Sequence, residues 1–149
     1  MLGILNEQEI MALLSRQITG YLACNLKDES YLVPVNYVYK DNTIYAHSGP
    51  GKKIDIMRQN PKVCFAVTEL ESIFRWKSAI CQGIFEEIVD PDEKQQAMQL
   101  LTHHIMPFVQ NPEGHTSHGI GSEKEIGSTI EPILYKIAIR EKSGRFEHD

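Results

Sequence analysis

The sequence predicts a mainly β protein, an antiparallel barrel of six strands with flanking helices. Six runs rich in aromatic and β-branched residues alternate with clusters of turn-forming residues, a pattern typical of strands joined by hairpins. The turns between neighbouring strands are too short for the crossovers that parallel strands require. A sheet of about six strands hides its edges best by closing on itself, and a barrel is therefore the expected architecture.

Size and composition narrow the class of protein. The chain has 149 residues, 42% apolar and 23% charged, and we expect a single domain over residues 1–149. A formal net charge of −5 argues against nucleic-acid binding, which needs a basic surface. The three cysteines lie scattered within apolar runs, which indicates buried, reduced thiols. Because neither a signal peptide nor a bilayer-spanning stretch is evident, we expect a cytoplasmic protein with no membrane partner.

The predicted elements follow the order helix, three strands, short helix, two strands, long helix, loop and strand. The first helix, over residues 7–16, begins at a capping box made by Asn6 and Glu9, and an apolar stripe follows at helical spacing. Asp41-Asn42 predicts a two-residue hairpin, because both residue types tolerate positive φ. The predicted strands cover residues 20–26, 31–39, 43–47, 62–69, 74–89 and 133–140.

Proline and glycine mark the places where these elements begin, bend or end. Pro34 cannot donate to a sheet ladder, so its strand is expected to be an edge strand or to carry a bulge. Gly83 predicts a bulge or bend within the fifth strand. The longer helix begins with Asp90 as its N-cap and Pro91 at its first position, and it ends at about residue 106, before Pro107.

The segment over residues 47–53 (HSGPGKK) carries the most information about function. A strand end leads into a Gly-Pro-Gly turn, and Lys52 and Lys53 begin a short helix over residues 52–58. Glycines let the backbone approach a ligand closely, and the first N–H groups of a helix favour an anion. Lysines add positive charge, Ser48 adds a hydroxyl, and His47 adds a donor whose charge changes near neutral pH. The segment therefore predicts a phosphate site.

Two familiar phosphate motifs are excluded at this segment. A Walker A loop fails because Ala46 stands where its first glycine belongs and Lys53 where its hydroxyl belongs. The dinucleotide fingerprint fails because Ile54 occupies the position of its third glycine. A solvated turn, whose lysines merely face water, stays open as the alternative interpretation.

Two other segments are candidates for ligand contact. If Pro34 marks an edge or a bulge, the backbone around Val35 and Asn36 would be free to meet a ligand, and Asn36 can both donate and accept; a simple edge strand is the more common explanation of the proline by itself. Trp76 is the only tryptophan, and it could stack on a planar ring while Lys77 or Ser78 reaches an anion. The alternative is that Trp76 packs in the core.

The histidines give no metal prediction. His103 and His104 end the longer helix, where the helix dipole favours them, and His115 and His118 lie in a polar, glycine-rich loop over residues 110–129. Without cysteines or well-spaced carboxylates nearby, their spacing falls short of a zinc pattern. We therefore predict no metal site.

Taken together, these features resemble the FMN-binding split-barrel superfamily, the pyridoxamine 5′-phosphate oxidase-like proteins, and within it the nitroimidazole-resistance (Nim-type) flavoproteins. The residues that carry the resemblance are YLVPVNYVY at 31–39, IYAHS at 44–48 with GKK at 51–53, NPKVCF at 60–65, WKSAI at 76–80 with Gly83, and SGR at 143–145. No single motif is specific to this superfamily, but the order and spacing of the motifs together are.

The resemblance implies an antiparallel split barrel, a homodimer, and FMN bound at the dimer interface. The implied cofactor contacts are Val33, Pro34, Val35, Asn36 and Tyr37 along the flavin ring, His47, Ser48, Lys52 and Lys53 on the phosphate side, and Trp76, Lys77 and Ser78 on a further strand. His47 becomes the candidate catalytic residue, because the matching histidine of Nim-type proteins lies close to the flavin. Arg140 and Arg145 are the only arginines near the C-terminus, so the substrate clamp of a true pyridoxamine phosphate oxidase is not evident.

Three functions follow as hypotheses. The first is an FMN-dependent oxidoreductase that takes electrons from a small-molecule donor and reduces a small acceptor such as a nitroaromatic. The second is a non-catalytic protein that stores or senses flavin or haem. The third is a barrel-shaped interaction protein without a cofactor. The His47–Lys53 segment, together with Trp76, favours the first.

Overall fold

The computed structural model describes residues 1–109 and 131–149, in which eight strands form one antiparallel sheet packed with three α-helices. The predicted loop over residues 110–129, with His115 and His118, lies outside the described residues. In chain order the elements are β1 (Leu2–Ile4), α1 (Glu7–Arg16), β2 (Thr19–Leu26), β3 (Glu29–Asn36), β4 (Val38–Lys40), β5 (Thr43–Ser48), α2 (Lys52–Gln59), β6 (Lys62–Ser72), β7 (Arg75–Glu87), α3 (Pro91–Ile105), a 3₁₀ turn (Met106–Phe108) and β8 (Ile133–Glu147).

The sheet is an open barrel. Its hydrogen-bonded order is β3-β2-β6-β7-β8-β5-β4. Strand β7 lies along one side of β8, whereas β5 and β1 share the other side. Within the described residues this path does not close, because β3 and β4 are its two ends and the chain passes directly from one to the other at Tyr37. The predicted mainly β, antiparallel split barrel is confirmed.

One predicted strand is divided in two at Tyr37. The predicted strand over residues 31–39 becomes β3 and β4, because the fully buried Tyr37 side chain turns into the core. Its hydroxyl donates a hydrogen bond to the Leu14 carbonyl oxygen at 2.6 Å, and its N–H donates to the Ile18 carbonyl oxygen at 3.0 Å. The division and the unpredicted β1 raise the number of strands from six to eight.

Strand β8 is longer than predicted and carries a bulge. It passes the predicted end at residue 140 because β7 pairs with it as far as Glu147, and its last residues also pair with β1. The register between β7 and β8 shifts just before Gly83, with Arg140 as the extra residue on β8. A Cβ atom at Gly83 would lie 2.5 Å from Ile137 Cγ2, so the close approach of the strands requires glycine. The predicted bulge is confirmed.

The local chemistry predicted for turns and helix starts is confirmed as well. Asp41 and Asn42 have φ of 51° and 58°, as a two-residue hairpin turn requires. At α1 the Glu9 N–H donates to Asn6 Oδ1 at 2.8 Å, and the Asn6 N–H donates to Glu9 Oε1 at 3.0 Å. At α3 the Asp90 carboxylate accepts a hydrogen bond from a backbone N–H of the first turn at 2.9 Å. These two helices thus begin where their capping residues predict.

The apolar core has two parts. The larger part fills the barrel and is covered by the buried side of α1, and the smaller part lies between α3 and the sheet. The smaller cluster consists of Val38, Ile88, Ala97, Leu101, Ile105 and Leu134. None of the helices in residues 1–109 or 131–149 is long and apolar enough to cross a membrane.

Candidate functional site

The N-terminus of α2 is open, as an anion site would require. Gly51 precedes the helix in an extended conformation, and in the described part of the chain no side chain caps the helix. The first helical hydrogen bond runs from the Asp55 N–H to the Gly51 carbonyl oxygen at 3.1 Å. A Cβ atom at Gly51 would meet nothing within 4 Å. The first turn of α2 therefore has N–H groups without a side-chain cap, at the positive end of the helix dipole and next to the open space at Gly51.

The two predicted phosphate lysines occupy different environments. Lys52 is exposed; its ammonium lies 3.7 Å from Glu29 Oε1 and 5.0 Å from the centroid of the Tyr31 ring. Lys53 is half-buried and faces the buried Cys24 thiol, and burial lowers the pKa of its ammonium. Lys52 can thus meet a ligand at the surface, whereas Lys53 contributes its charge from inside the protein.

His47 and Ser48 lie at the end of β5, just before the Gly-Pro-Gly turn. They pair with Leu134 and Ile133 of β8, and both are half-buried. Because side chains alternate along a strand and Ala46 points into the core, His47 faces away from the barrel interior. The Ser48 hydroxyl donates a hydrogen bond to the neighbouring carbonyl oxygen of Gly49 at 2.7 Å. Both residues stand at the entrance to the α2 site.

Three of the five predicted contacts on β3 and its end point inwards. Val35 and Tyr37 are buried, and Val33 packs against the barrel core. These three residues could therefore meet a ligand through their backbone groups alone. The sequence did not show which of these side chains point inwards, because the run is apolar at nearly every position and period-two alternation does not distinguish its faces.

The other two residues point outwards, and β3 is the edge strand that Pro34 predicts. Pro34 is exposed, and Asn36 is half-buried and accepts a hydrogen bond from the Thr19 hydroxyl at 2.8 Å. Because β3 has a strand partner on one side only among the described residues, its other backbone edge is accessible.

Trp76, Lys77 and Ser78 lie at the beginning of β7, opposite the last residues of β8. All three are half-buried, so Trp76 is not a core residue. The Trp76 indole N–H donates to Glu147 Oε2 at 3.0 Å, which fixes the orientation of the ring. Trp76 and Lys77 line a cavity of about 240 Å³, together with Phe146 and other side chains.

The structure separates the predicted residues into two groups. Ser48 pairs with Ile133 at one end of β8, and Trp76 pairs with Glu147 at the other end, fourteen residues away along the strand. At about 3.3 Å per residue, these positions are separated by roughly 45 Å of strand. Within one copy of the chain, the α2 group and the Trp76 group therefore lie beside opposite ends of β8.

An uncharged surface, which the sequence analysis missed, lies on the outside of the sheet. We call it the outer face. It crosses β3, β2, β6 and β7 and consists of Leu32, Pro34, Tyr21, Ala23, Cys64, Ala66 and Ile80. Leu32, Tyr21 and Ile80 are 64%, 50% and 46% exposed. Neighbouring exposed apolar side chains of this kind are typical of an interaction surface. A signal was present in the sequence, because these strands are apolar at both odd and even positions.

The thiols and histidines form no reactive or metal-binding cluster in the described part of the chain. The three cysteines are free, and burial raises the pKa of the Cys81 thiol to about 11 and also raises that of Cys24. No three His, Cys, Asp or Glu side chains among residues 1–109 and 131–149 are grouped to hold a metal ion. His104 Nε2 lies 3.0 Å from the Gln17 carbonyl oxygen, so it links α3 to the end of α1.

Several solved structures share the fold of this chain. The chain is similar to a FAD-binding protein of Mesorhizobium loti, with 30% identity, 97% of each chain covered and a TM-score of 0.74. A candidate 5-nitroimidazole antibiotic resistance protein of Bacteroides thetaiotaomicron is 22% identical, with 98% of this chain and 87% of that chain covered and a TM-score of 0.73. A FAD and haem binding protein of Mycobacterium smegmatis is 17% identical, with 97% and 72% covered and a TM-score of 0.71. At these lower identities, the second and third likenesses concern the fold alone.

Sequence comparison agrees with the structural likeness. A protein of Rhizobium meliloti (strain 1021), itself uncharacterized, is 35% identical over 85 residues, and the match spans 57% of this chain and little more than half, 56%, of that relative. The family model described as pyridoxamine 5′-phosphate oxidase matches residues 6–146, which is nearly the whole chain. The chain therefore belongs to the pyridoxamine 5′-phosphate oxidase family.

Proposed function

We propose that this chain is a flavoprotein that binds FMN between two copies of itself and passes electrons from a small-molecule donor to a small acceptor such as a nitroaromatic. The observation that carries the proposal is the open N-terminus of α2 with the exposed Lys52 beside it. The FAD-binding relative at 30% identity supports a flavin as the ligand. A bound flavin would supply the electron transfer, and the protein would supply position and electrostatics.

The phosphate of the flavin would lie at the first turn of α2. Its N–H groups would donate to the phosphate oxygens, and the Lys52 ammonium would add a full positive charge. The present neighbour of Lys52 is Glu29 at 3.7 Å, and both side chains are mostly exposed. An exposed ion pair of this kind is weak, so a phosphate can compete for the lysine. Lys53 would add a longer-range charge from its half-buried position.

Two observations support a site shared between two copies. The α2 group and the Trp76 group lie at opposite ends of β8, so a flavin that meets both would take one group from each copy. The outer face provides an uncharged surface for the second copy, and it contains Pro34, one of the predicted ring contacts. In this arrangement Trp76, whose ring is oriented by Glu147, would face the flavin held by the other copy.

His47 is the proposed catalytic residue. It stands at the end of β5, one residue before Ser48 and the turn that leads into the α2 site, and it faces away from the barrel interior. An imidazole at this place would be the group that hands a proton to the reduced acceptor. We expect His47→Ala to retain flavin but to lower the rate of acceptor reduction, and His47→Gln to retain flavin equally well without restoring the rate.

The visible spectrum and flavin titration of the purified chain test the proposal. We expect flavin absorbance bands, and we expect Lys52→Glu to weaken FMN binding at least tenfold, the effect of losing one charge-assisted contact. Lys62→Glu is the matched control, because Lys62 is an exposed lysine beyond the other end of α2. A colourless protein that does not bind added FMN would contradict the proposal, as would equal affinities of the two variants.

Activity separates the oxidoreductase from the second candidate, a protein that only stores or senses its ligand. The flavin-loaded chain should oxidise reduced nicotinamide when a nitroaromatic is added under anaerobic conditions. If flavin is bound but no acceptor is reduced by any nicotinamide, the storage function replaces the enzyme. A Soret band in the spectrum would instead identify haem as the ligand.

A further inference from the structure

A second cavity lies directly beside the proposed phosphate site. It has a volume of about 400 Å³ and is formed between the β2–β3 hairpin and α2; we call it the hairpin cleft. Its lining residues are Leu26, Lys27, Asp28, Glu29, Lys52 and Ile56. Lys52 is both the first residue of α2 and a wall of the cleft. A ligand with a phosphate at α2 therefore has the hairpin cleft as the adjoining space.

The lining of the hairpin cleft combines three kinds of chemistry. It has two lysine ammonium groups, two carboxylates and two aliphatic side chains. Lysines bind phosphate, carboxylates accept hydrogen bonds from ribose hydroxyls, and aliphatic side chains pack against the face of a base. The volume falls within the range of small-molecule sites, roughly 300–1,000 Å³. This combination matches the parts of a nucleotide.

The walls of the cleft are fixed relative to each other. Lys27 and Asp28 have φ of 51° and 54°, which is the geometry of a tight two-residue turn. The Asn25 side chain donates to Ser30 Oγ at 2.8 Å across the hairpin. The Asn60 side chain, just after α2, donates to the Asn25 carbonyl oxygen at 2.8 Å and ties the helix to the hairpin. The backbone of the cleft is therefore fixed before a ligand binds, whereas its charged side chains are exposed.

We infer that the hairpin cleft takes the adenosine monophosphate half of flavin adenine dinucleotide, so that the chain binds FAD more tightly than FMN. The inference rests on the proposed function, because it takes the FMN half to lie at α2. The second phosphate of FAD lies between Lys52 and Lys27, and the adenosine lies against the half-buried Leu26. FMN fills the α2 part and leaves the hairpin cleft to water.

Comparative titration of the whole, flavin-free chain tests the inference. We expect FAD to bind at least tenfold more tightly than FMN, the effect of one additional charge-assisted contact. Lys27→Asn should reduce the affinity for FAD about tenfold and leave that for FMN unchanged, because asparagine removes the charge but retains the left-handed turn conformation. Lys27→Glu should reduce it further, and Lys62→Asn is the control away from the cleft. Adenosine monophosphate should compete with FAD.

The outcomes separate this inference from the proposed function. If the chain binds FMN but does not bind FAD more tightly than FMN, the hairpin cleft is not a nucleotide site, while the proposal that the chain is a flavoprotein is unaffected. Tighter FAD binding that survives both Lys27 variants also overturns it, because the adenosine then lies elsewhere. If neither flavin binds, both proposals are wrong. Retained FMN affinity in the Lys27 variants shows that they are folded.

Discussion

Two variants that each fail to bind flavin are expected to restore binding when they are mixed. Lys52→Glu reverses the charge at the α2 group, and Trp76→Ala removes the ring at the far end of β8. The α2 group lies beside the first residues of β8 and Trp76 lies beside its last residues, so we expect one flavin to take Lys52 and Trp76 from different copies. In a dimer with shared sites, each site takes Lys52 from one copy and Trp76 from the other.

The expected magnitude follows from this arrangement. After subunit exchange at equal concentrations, about half of the dimers contain one copy of each variant. Each of these mixed dimers has one site with both substitutions and one site with neither. About a quarter of all sites are therefore intact, and bound flavin should reach about a quarter of the wild-type amount.

The assay is flavin absorbance per chain after gel filtration, with native mass spectrometry to count mixed dimers. The control mixes Lys52→Glu with the double variant Lys52→Glu/Trp76→Ala, in which no site has an intact Lys52 and no recovery is expected. If mixed dimers form but flavin content stays at the mean of the two parents, the two groups do not act in a shared site and the argument from β8 is refuted.

Three further predictions test the surface, the bulge and the buried thiols. Ile80→Glu places a charge on the outer face and should shift the native mass from dimer to monomer. The control Lys40→Glu, on β4 and away from that face, should leave the mass unchanged. If Ile80→Glu also leaves the mass unchanged, the outer face is not the dimer interface. Gly83→Ala should lower the free energy of unfolding by about 1–3 kcal/mol, because the new Cβ meets Ile137 Cγ2 at 2.5 Å; a urea midpoint equal to the wild type would contradict this. Burial raises the pKa of the Cys81 thiol from 9.0 to about 11. As the pH rises, the thiol of the unfolded chain therefore loses its proton before that of the folded chain. The stability that this group contributes is complete below pH 9 and declines between pH 9 and pH 11. In urea denaturation, the decline of Cys81→Ala should be smaller than that of the wild type by about 2–3 kcal/mol, the share of this group, because burial also raises the pKa of the Cys24 and Cys64 thiols.

The sequence predicted those features of the fold that depend on neighbouring residues. The capping box of α1, the Asp41-Asn42 turn, the edge position of Pro34 and the bulge at Gly83 each follow from the chemistry of a few adjacent residues, and each is found. The break at Tyr37 could not be predicted in the same way. It depends on hydrogen bonds to Leu14 and Ile18, which are distant in the chain.

The candidate site, too, could be predicted from the sequence only in part. The segment over residues 47–53 indicated an anion site and the structure provides an open helix start there, but the sequence could not show which lysine is exposed. Lys53 faces Cys24 only because α2 packs against β2. The separation of the α2 and Trp76 groups is likewise a matter of strand register, which emerges only when β8 is placed between its neighbours.

The position of β8 has a consequence for how the protein folds. It follows every other strand in the chain, yet it lies inside the sheet and pairs with β7, β5 and β1. The sheet cannot be completed during synthesis until β8 has left the ribosome, and until then the edges of β5 and β7 are unpaired. Contacts between such distant segments slow folding, and exposed strand edges promote aggregation. We therefore expect slow, cooperative refolding and a strong dependence on chaperones when the chain is produced rapidly.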